Sequence, residues 1–201
     1  MAKSNYTKIK TPVGRVAFPK VFTPAPGMSG GAPKYKLDLI FDKKARESAE
    51  YKSMISTVRK IMVDKFGADQ KSWPKTWKNP IRKCADRDSY SNQAEGDTFI
   101  GISCNPDKSK PQVLDRKSGR LLVTADDFYS GCFAQVTAAV GWYEVEGNKG
   151  VHFLLNNVLK TDDGERMDNK KSAFDDFGVD PGAATDDLGS GESQAEDGLD
   201  F

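Results

Sequence analysis

Histidine is nearly absent from this chain. The one copy, His152, sits between apolar residues in VHFLL. With no second imidazole to share proton traffic, it reads as a half-buried structural residue rather than a general base. Cysteine is also scarce: Cys84, Cys104 and Cys132 are odd in number and widely spaced. They read as reduced, buried thiols of a cytosolic protein, not as a disulfide framework. Taken with His152 they are 20, 28 and 20 residues apart, a pattern that matches no zinc motif. There is no phosphate-cradling glycine loop, no nucleophile elbow and no CxxC pair. Asp126–Asp127 and Asp162–Asp163 are adjacent pairs suited to caps and turns. A two-metal nuclease site needs acids converging from several elements. No stretch approaches the ~20 apolar residues that span a bilayer. The opening MAKSNYTKIK has no apolar run behind it, which argues against a signal peptide. The expectation is a non-enzymatic protein with no metal, no cofactor and no membrane partner.

One further absence is local. Residues 172–201 contain no Lys or Arg but nine acids, among them Asp186, Asp187, Glu196, Asp197 and Asp200, and the stretch closes on Phe201. The whole chain has 30 basic and 29 acidic residues. Residues 1–171 therefore hold all 30 bases against 20 acids, a net charge of +10. A basic body joined to an acidic tail suggests that the body binds a polyanion and that the tail competes for the same surface. The tail is Asp-, Gly-, Ser- and Ala-rich, a composition of disordered character. The expected organisation is a binding domain at 1–171 and a partner-binding tail at 172–201.

The body reads as mainly β. TPVGRVAFPKVF (11–22) is a first strand whose prolines imply an edge or a bend. TPAPGMSGGAP (23–33) is a Gly/Pro loop. KYKLDLIF (34–41) alternates, with Tyr35, Leu37, Leu39 and Phe41 on one face and a largely basic opposite face. Residues 43–66 form one amphipathic helix, with Tyr51, Met54, Ile55, Val58, Ile61, Met62 and Phe66 as its core stripe and Gly67 as its stop. WPKTWKNPIRKC (73–84) is an irregular basic, aromatic loop. TFIGISC (98–104), PQVLD (111–115), CFAQVTAAVGWYEV (132–145) and VHFLLNNVLK (151–160) are strands, the last two joined by a hairpin at EGNKG. In the long strand Cys132, Ala134, Val136, Ala138, Val140 and Trp142 point inward. Phe133, Gln135, Thr137 and Tyr143 lie on the other face. Five or six short strands with one helix fit a Greek-key barrel of the OB type or a sandwich, and pattern alone leaves both open.

A basic surface with spare aromatics suits single-stranded nucleic acid. Cations follow the backbone, and rings stack on bases at roughly 1–3 kcal/mol per base. The aromatic candidates are Trp73, Trp77, Phe133, Tyr143 and Tyr90. The cationic candidates are Arg15, Lys20, Lys34, Lys36, Lys75, Lys78, Arg82 and Lys83.

The stretches TFIGISCNPDKSKPQVLD and DDFYSGCFAQVTAAVGWYEVEGNKGVHFLLNNVLKTDDGE carry a resemblance across roughly 97–166. Their landmarks are KPQVLD, FYSGCFAQV, KGV followed by LLNNV, and a closing DGE. They resemble the single-stranded DNA-binding proteins of tailed phages. The resemblance implies an OB fold and a sequence-independent role in phage replication, recombination and repair, in the host cell cytoplasm. It further implies an acidic tail ending in an aromatic residue, which docks on phage or host DNA polymerase and helicase–primase and shields the DNA groove. A homodimer is compatible with it. Two other readings stand beside this one: a strand-annealing recombination protein, and an interaction adaptor whose tail is the working part.

Overall fold

In the computed structural model, residues 6–27, 31–107, 110–145, 147–167 and 177–178 are described. The elements run β1 (Thr7–Lys10), β2 (Gly14–Ala25), β3 (Lys34–Phe41), α1 (Lys43–Glu47), α2 (Ala49–Phe66), β4 (Ile81–Lys83), β5 (Thr98–Cys104), β6 (Val113–Asp115), β7 (Leu121–Leu122), β8 (Phe133–Val145) and β9 (Asn148–Asp162). Residues up to 167 belong to one unit, Met1–Asp168.

Five strands close a ring. β2 pairs antiparallel with β3, β3 with β5, β9 with β8 and β8 with β2, while β5 and β9 run parallel. Closure removes the exposed sheet edges, as in an OB-type barrel. The sandwich alternative therefore falls. β1 extends the sheet beyond β8, β4 pairs with β5, and β6–β7 add to β9.

The alternation read in the sequence fills the barrel. Leu37, Leu39 and Phe41 of β3, Ile100 and Ile102 of β5, Ala134, Val136, Ala138 and Val140 of β8, and Phe153 and Leu155 of β9 are all buried in one cluster. Each large side chain removed from water there contributes about 1.5–3 kcal/mol. Trp142 is half-buried against the same cluster, edge-on to Phe66 at 5.2 Å. All three cysteines are buried and unbridged. Burial pushes the thiols of Cys84 and Cys132 up to about 11.

The expected single helix is two. Ser48 takes an extended backbone, its hydroxyl donates to the Ala45 carbonyl, and its Oγ accepts from the Tyr51 N–H at 3.2 Å. A serine that satisfies both ends is a better cap than a continuous helical residue. Tyr51, Met54, Val58 and Met62 of α2 are buried, whereas Ile55, placed in the core stripe by its spacing, is exposed. The expected first strand at 11–22 is displaced to β2 (Gly14–Ala25), and an unexpected strand, β1, precedes it. Thr11 leaves β1, its N–H donating to the Val136 carbonyl at 2.9 Å, and the chain re-enters as β2. β2 pairs on both sides, so it is no edge, and its prolines fall instead in register breaks, Pro19 between Ala17 and Lys20 and Pro24 between Lys20 and Ala25.

Candidate nucleic-acid interface

The outer face of β3 and β5 forms the floor of a groove of roughly 900 Å³. Lys34 enters it from β3, Arg82 from β4, Gly101 and Ser103 from β5, Tyr143 and Val145 from β8, and Val151 and His152 from β9. Lys78, Asn79 and Pro80 form one wall. Among the described residues lining it, none is acidic. An adjoining recess of about 310 Å³ shares Lys34, Ser103 and His152 and adds Tyr6, Asn105 and Asn156.

The wall is held by close backbone approach. The Lys78 N–H donates to the Lys149 carbonyl at 2.8 Å, and the Lys78 carbonyl accepts from the Val151 N–H. At Gly150, between them, a Cβ would stand 2.5 Å from the Lys78 carbonyl oxygen, so only glycine admits this crossing. The Lys78 ammonium donates to Asn148 Oδ1 at 2.6 Å, which orients it along the groove rim.

Aromatic rings line the far side. Tyr143 and His152 stack with centroids 5.2 Å apart and planes 2° from parallel, and Tyr6 and His152 lie 5.7 Å apart at 5°. The Tyr6 hydroxyl and His152 Nε2 are 3.1 Å apart. The Tyr6 ring reaches His152 because it lies across Gly141, where a Cβ would meet it at 2.4 Å. His152 is thus half-buried, as its apolar neighbours implied, and also the centre of a three-ring stack.

Further cations lie beside the groove. Lys36 pairs with Ser103 across β3–β5 and with Lys20 across β2–β3. Like charges set opposite each other oppose sheet pairing. A polyanion laid over them removes that cost. The one carboxylate on this stretch of β3, Asp38, is neutralised by an ion pair with Arg87 and a hydrogen bond from the Tyr90 hydroxyl at 2.6 Å.

The sequence candidates therefore separate. Lys34, Lys78, Arg82 and Tyr143 share the groove, with Lys20 and Lys36 flanking it. Lys75 and Lys83 are exposed but do not line it. Trp73 and Trp77 pack edge-to-face on each other at 6.2 Å, half-buried against the core, and the Trp73 indole N–H donates to the Gly67 carbonyl at 3.0 Å. They are thus not spare rings outside the core: each packs against it, Trp73 beside Gly67 at the end of α2.

Tyr90 is corrected more sharply. It is buried against Phe99 at 4.7 Å, so no base can reach its face. Burial and the adjacent Asp38 carboxylate both push its hydroxyl pKa up. Arg15 and Phe133 sit in a separate cleft of roughly 600 Å³, which also holds Asp42, Glu50 and Asp97. The Arg15 guanidinium there donates to the Glu165 carbonyl at 2.8 Å. That mixed lining attracts a polyanion less than the acid-free groove does.

Asp162 and Asp163 form ion pairs with Lys117 and Lys160, and the hydrogen bonds from those lysines lower both carboxyl pKa values. Among the described residues no three His, Cys, Asp or Glu gather as a metal site, and no helix is long and apolar enough to cross a membrane. The tail candidates Asp186, Asp187, Glu196, Asp197, Asp200 and Phe201 lie outside the described residues. Tyr6 and Arg87 were not singled out from sequence: a lone tyrosine among lysines, and one arginine of CADRDSY, carry no periodic signal.

Comparison with known proteins bears on the family and the fold. The family described as Enterobacter phage Enc34, ssDNA-binding protein, matches residues 7–189. Protein p50 of Acyrthosiphon pisum secondary endosymbiont phage 1 is 29% identical over 192 residues, covering 93% of this chain and 97% of that protein. Among solved structures, the single-stranded DNA-binding protein of bacteriophage Enc34 in complex with ssDNA superposes with a TM-score of 0.65 at 22% identity, over 80% of this chain and 89% of that one. The T7 single-stranded DNA-binding protein gp2.5 gives 0.58 at 16% identity, over 86% and 99%.

Proposed function

The chain belongs to the family of the Enterobacter phage Enc34 ssDNA-binding protein, and on that premise we propose that it binds single-stranded DNA along the groove between β3, β5 and the 78–80 wall. The carrying observation is that Lys34, Lys78 and Arg82 converge with Tyr143 in one groove free of acids among its described lining residues. The cations would neutralise successive phosphates, and Tyr143, backed by His152 and Tyr6, would offer a ring face to a base. Neither interaction reads base edges, so the binding is sequence-independent. The protein works by holding the strand, not by a chemical step, and it would act in the host cytoplasm where phage DNA is copied.

The acidic tail supplies the second half of the proposal. Its nine acids and no bases face a body of net charge +10. Tethered to that body, the tail acts at high effective concentration as a weak competitor for the groove. DNA would displace it and free Phe201, with its carboxylate, for a basic pocket on a replication partner such as polymerase or helicase–primase.

The test is fluorescence anisotropy of a labelled poly-dT strand of about 30 nucleotides, long enough to span a single OB-type site. Full-length protein and a version ending at residue 171 are titrated at low and moderate salt. Both should bind, the shorter one more tightly at low salt. Failure of both to bind would overturn the groove assignment. Equal affinity would overturn the tail's part in it.

A further inference from the structure

Phe18 is anomalous in backbone and in exposure. Among the described residues it is the one non-glycine with a positive φ, at 49°. It stands where the β2–β3 register breaks, between Ala17 and Lys20, and its N–H is held by Ser130 Oγ at 2.9 Å. A bulky residue in the left-handed region is a true outlier, and such strain persists where the surroundings impose it, often at functional positions. The strain does not bury the ring: 45% of Phe18 is exposed.

What surrounds it gives the exposure a meaning. The Arg87 guanidinium lies 5.3 Å from the Phe18 centroid and 5.4 Å from that of Phe99. Arg82, which lines the groove, lies 4.5 Å from the centroid of the same Phe99 ring. Arg82, Phe99, Arg87 and Phe18 are thus linked ring to cation, with Phe99 buried and Arg82, Arg87 and Phe18 reaching the surface. Buried Tyr90 supports them from below, 5.8 Å from Phe18 and bonded to the Asp38 that pairs with Arg87.

We propose that Phe18 and Arg87 form a second base-stacking and phosphate-binding subsite, which a single strand reaches when it leaves the groove past Arg82. This rests on the groove reading and extends the path of the strand beyond it. Phe18 presents its ring to a base, and Arg87, half-exposed while paired to Asp38, meets the neighbouring phosphate. The subsite acts only on strands long enough to pass Arg82, so it favours extended single-stranded DNA over short fragments.

The experiment compares wild-type protein with Phe18→Ala, Phe18→Gly, Phe18→Trp and Arg82→Ala on a dT series of increasing length, with thermal unfolding of each. Phe18→Ala should weaken binding of the longest strand about tenfold, within the range for one stacked base, and leave the shortest bound strand unaffected. Phe18→Trp should keep wild-type affinity, with its new indole emission quenched by dT. Phe18→Gly, free of the backbone strain, should melt at or above the wild-type temperature and still bind long strands as weakly as Phe18→Ala.

Three results would each overturn the proposal. Phe18→Ala could bind every length like wild type while Arg82→Ala binds weakly, which leaves the groove reading intact. Phe18→Gly could restore affinity along with stability, showing that the loss came from the fold. Arg82→Ala could also bind like wild type, in which case the groove reading fails as well.

Discussion

Tyr143 and Trp73 carry the same sequence credentials, an aromatic ring among cations, yet the structure gives them different work. Tyr143 stands in the groove with one ring face backed by His152. Replacing it with alanine should cost about 1–3 kcal/mol of single-strand binding and little stability. Trp73 packs on Trp77 and the core and has spent its N–H on Gly67. Trp73→Ala should lower stability by roughly 2–4 kcal/mol, somewhat under the cost of a fully buried tryptophan. Its affinity for DNA should stay near wild type once folded. Anisotropy and urea unfolding of the two variants together check the assignment.

The thiols offer an independent residue-level check. Raised to about 11 from an ordinary value near 9, Cys84 and Cys132 stay protonated and unreactive in the native state at pH 8. The folded state holds these protons more tightly than the unfolded one. Their contribution to stability is therefore complete below about pH 9 and is lost as pH rises toward 11. Maleimide labelling should be slow at pH 8 without denaturant and fast in urea; rapid native labelling would contradict the burial.

At this scale the sequence was legible where a residue's type and its neighbours sufficed. The groove lysines, Arg82 and Tyr143 were singled out by charge and by facing. Tyr90 could not be judged, because its burial depends on Asp38, 52 positions away, and no local pattern records that partner. Phe18 was hidden for a similar reason: within GRVAFPKVF it reads as an ordinary strand residue, and the bulge that turns its ring outward is set by Ser130 on a distant loop.

At the scale of elements, alternation was the strongest signal and it located β3 to the residue, while β5 keeps the bounds expected of TFIGISC. The strength has a physical source. Both strands bury one face against the same core, so every second residue is constrained. β1 was missed because only Ile9 of its four residues is even half-buried. The joint at Ser48 was missed because a hydroxyl cap needs no break in hydrophobic period. The 73–84 segment, read as an irregular loop, carries the short strand β4 near its end, and part of its anchorage was invisible: besides the packing of Trp73 and Trp77 on the core, a backbone bridge pins Lys78 to Gly150. Gly150→Ala tests that bridge. The added methyl collides with the Lys78 carbonyl, so the wall must shift. Thermal unfolding should drop by several degrees, consistent with a loss of about 1–3 kcal/mol, and single-strand affinity should fall with it. An unchanged melting temperature would mean that the wall is not held there.

For the whole molecule, the separation of charge decides behaviour. A body of net charge +10 and a last thirty residues with nine acids and no bases give a near-neutral chain whose two parts carry opposite charge. That asymmetry was plain from composition, and the groove, with Lys34, Lys78 and Arg82 and no acid among its described lining residues, is one place where positive charge gathers on the body. Binding should weaken steeply with salt, because each neutralised phosphate releases a counterion. The measurement that bears most directly on the account is the salt dependence of poly-dT affinity for wild-type protein beside the triple variant Lys34→Ala/Lys78→Ala/Arg82→Ala. With three phosphate contacts removed, the slope of log affinity against log salt should flatten by about 2, at roughly 0.7 per contact on a single strand, and affinity at low salt should fall. A triple variant that keeps both the affinity and the slope of the wild type would place the strand elsewhere on the barrel.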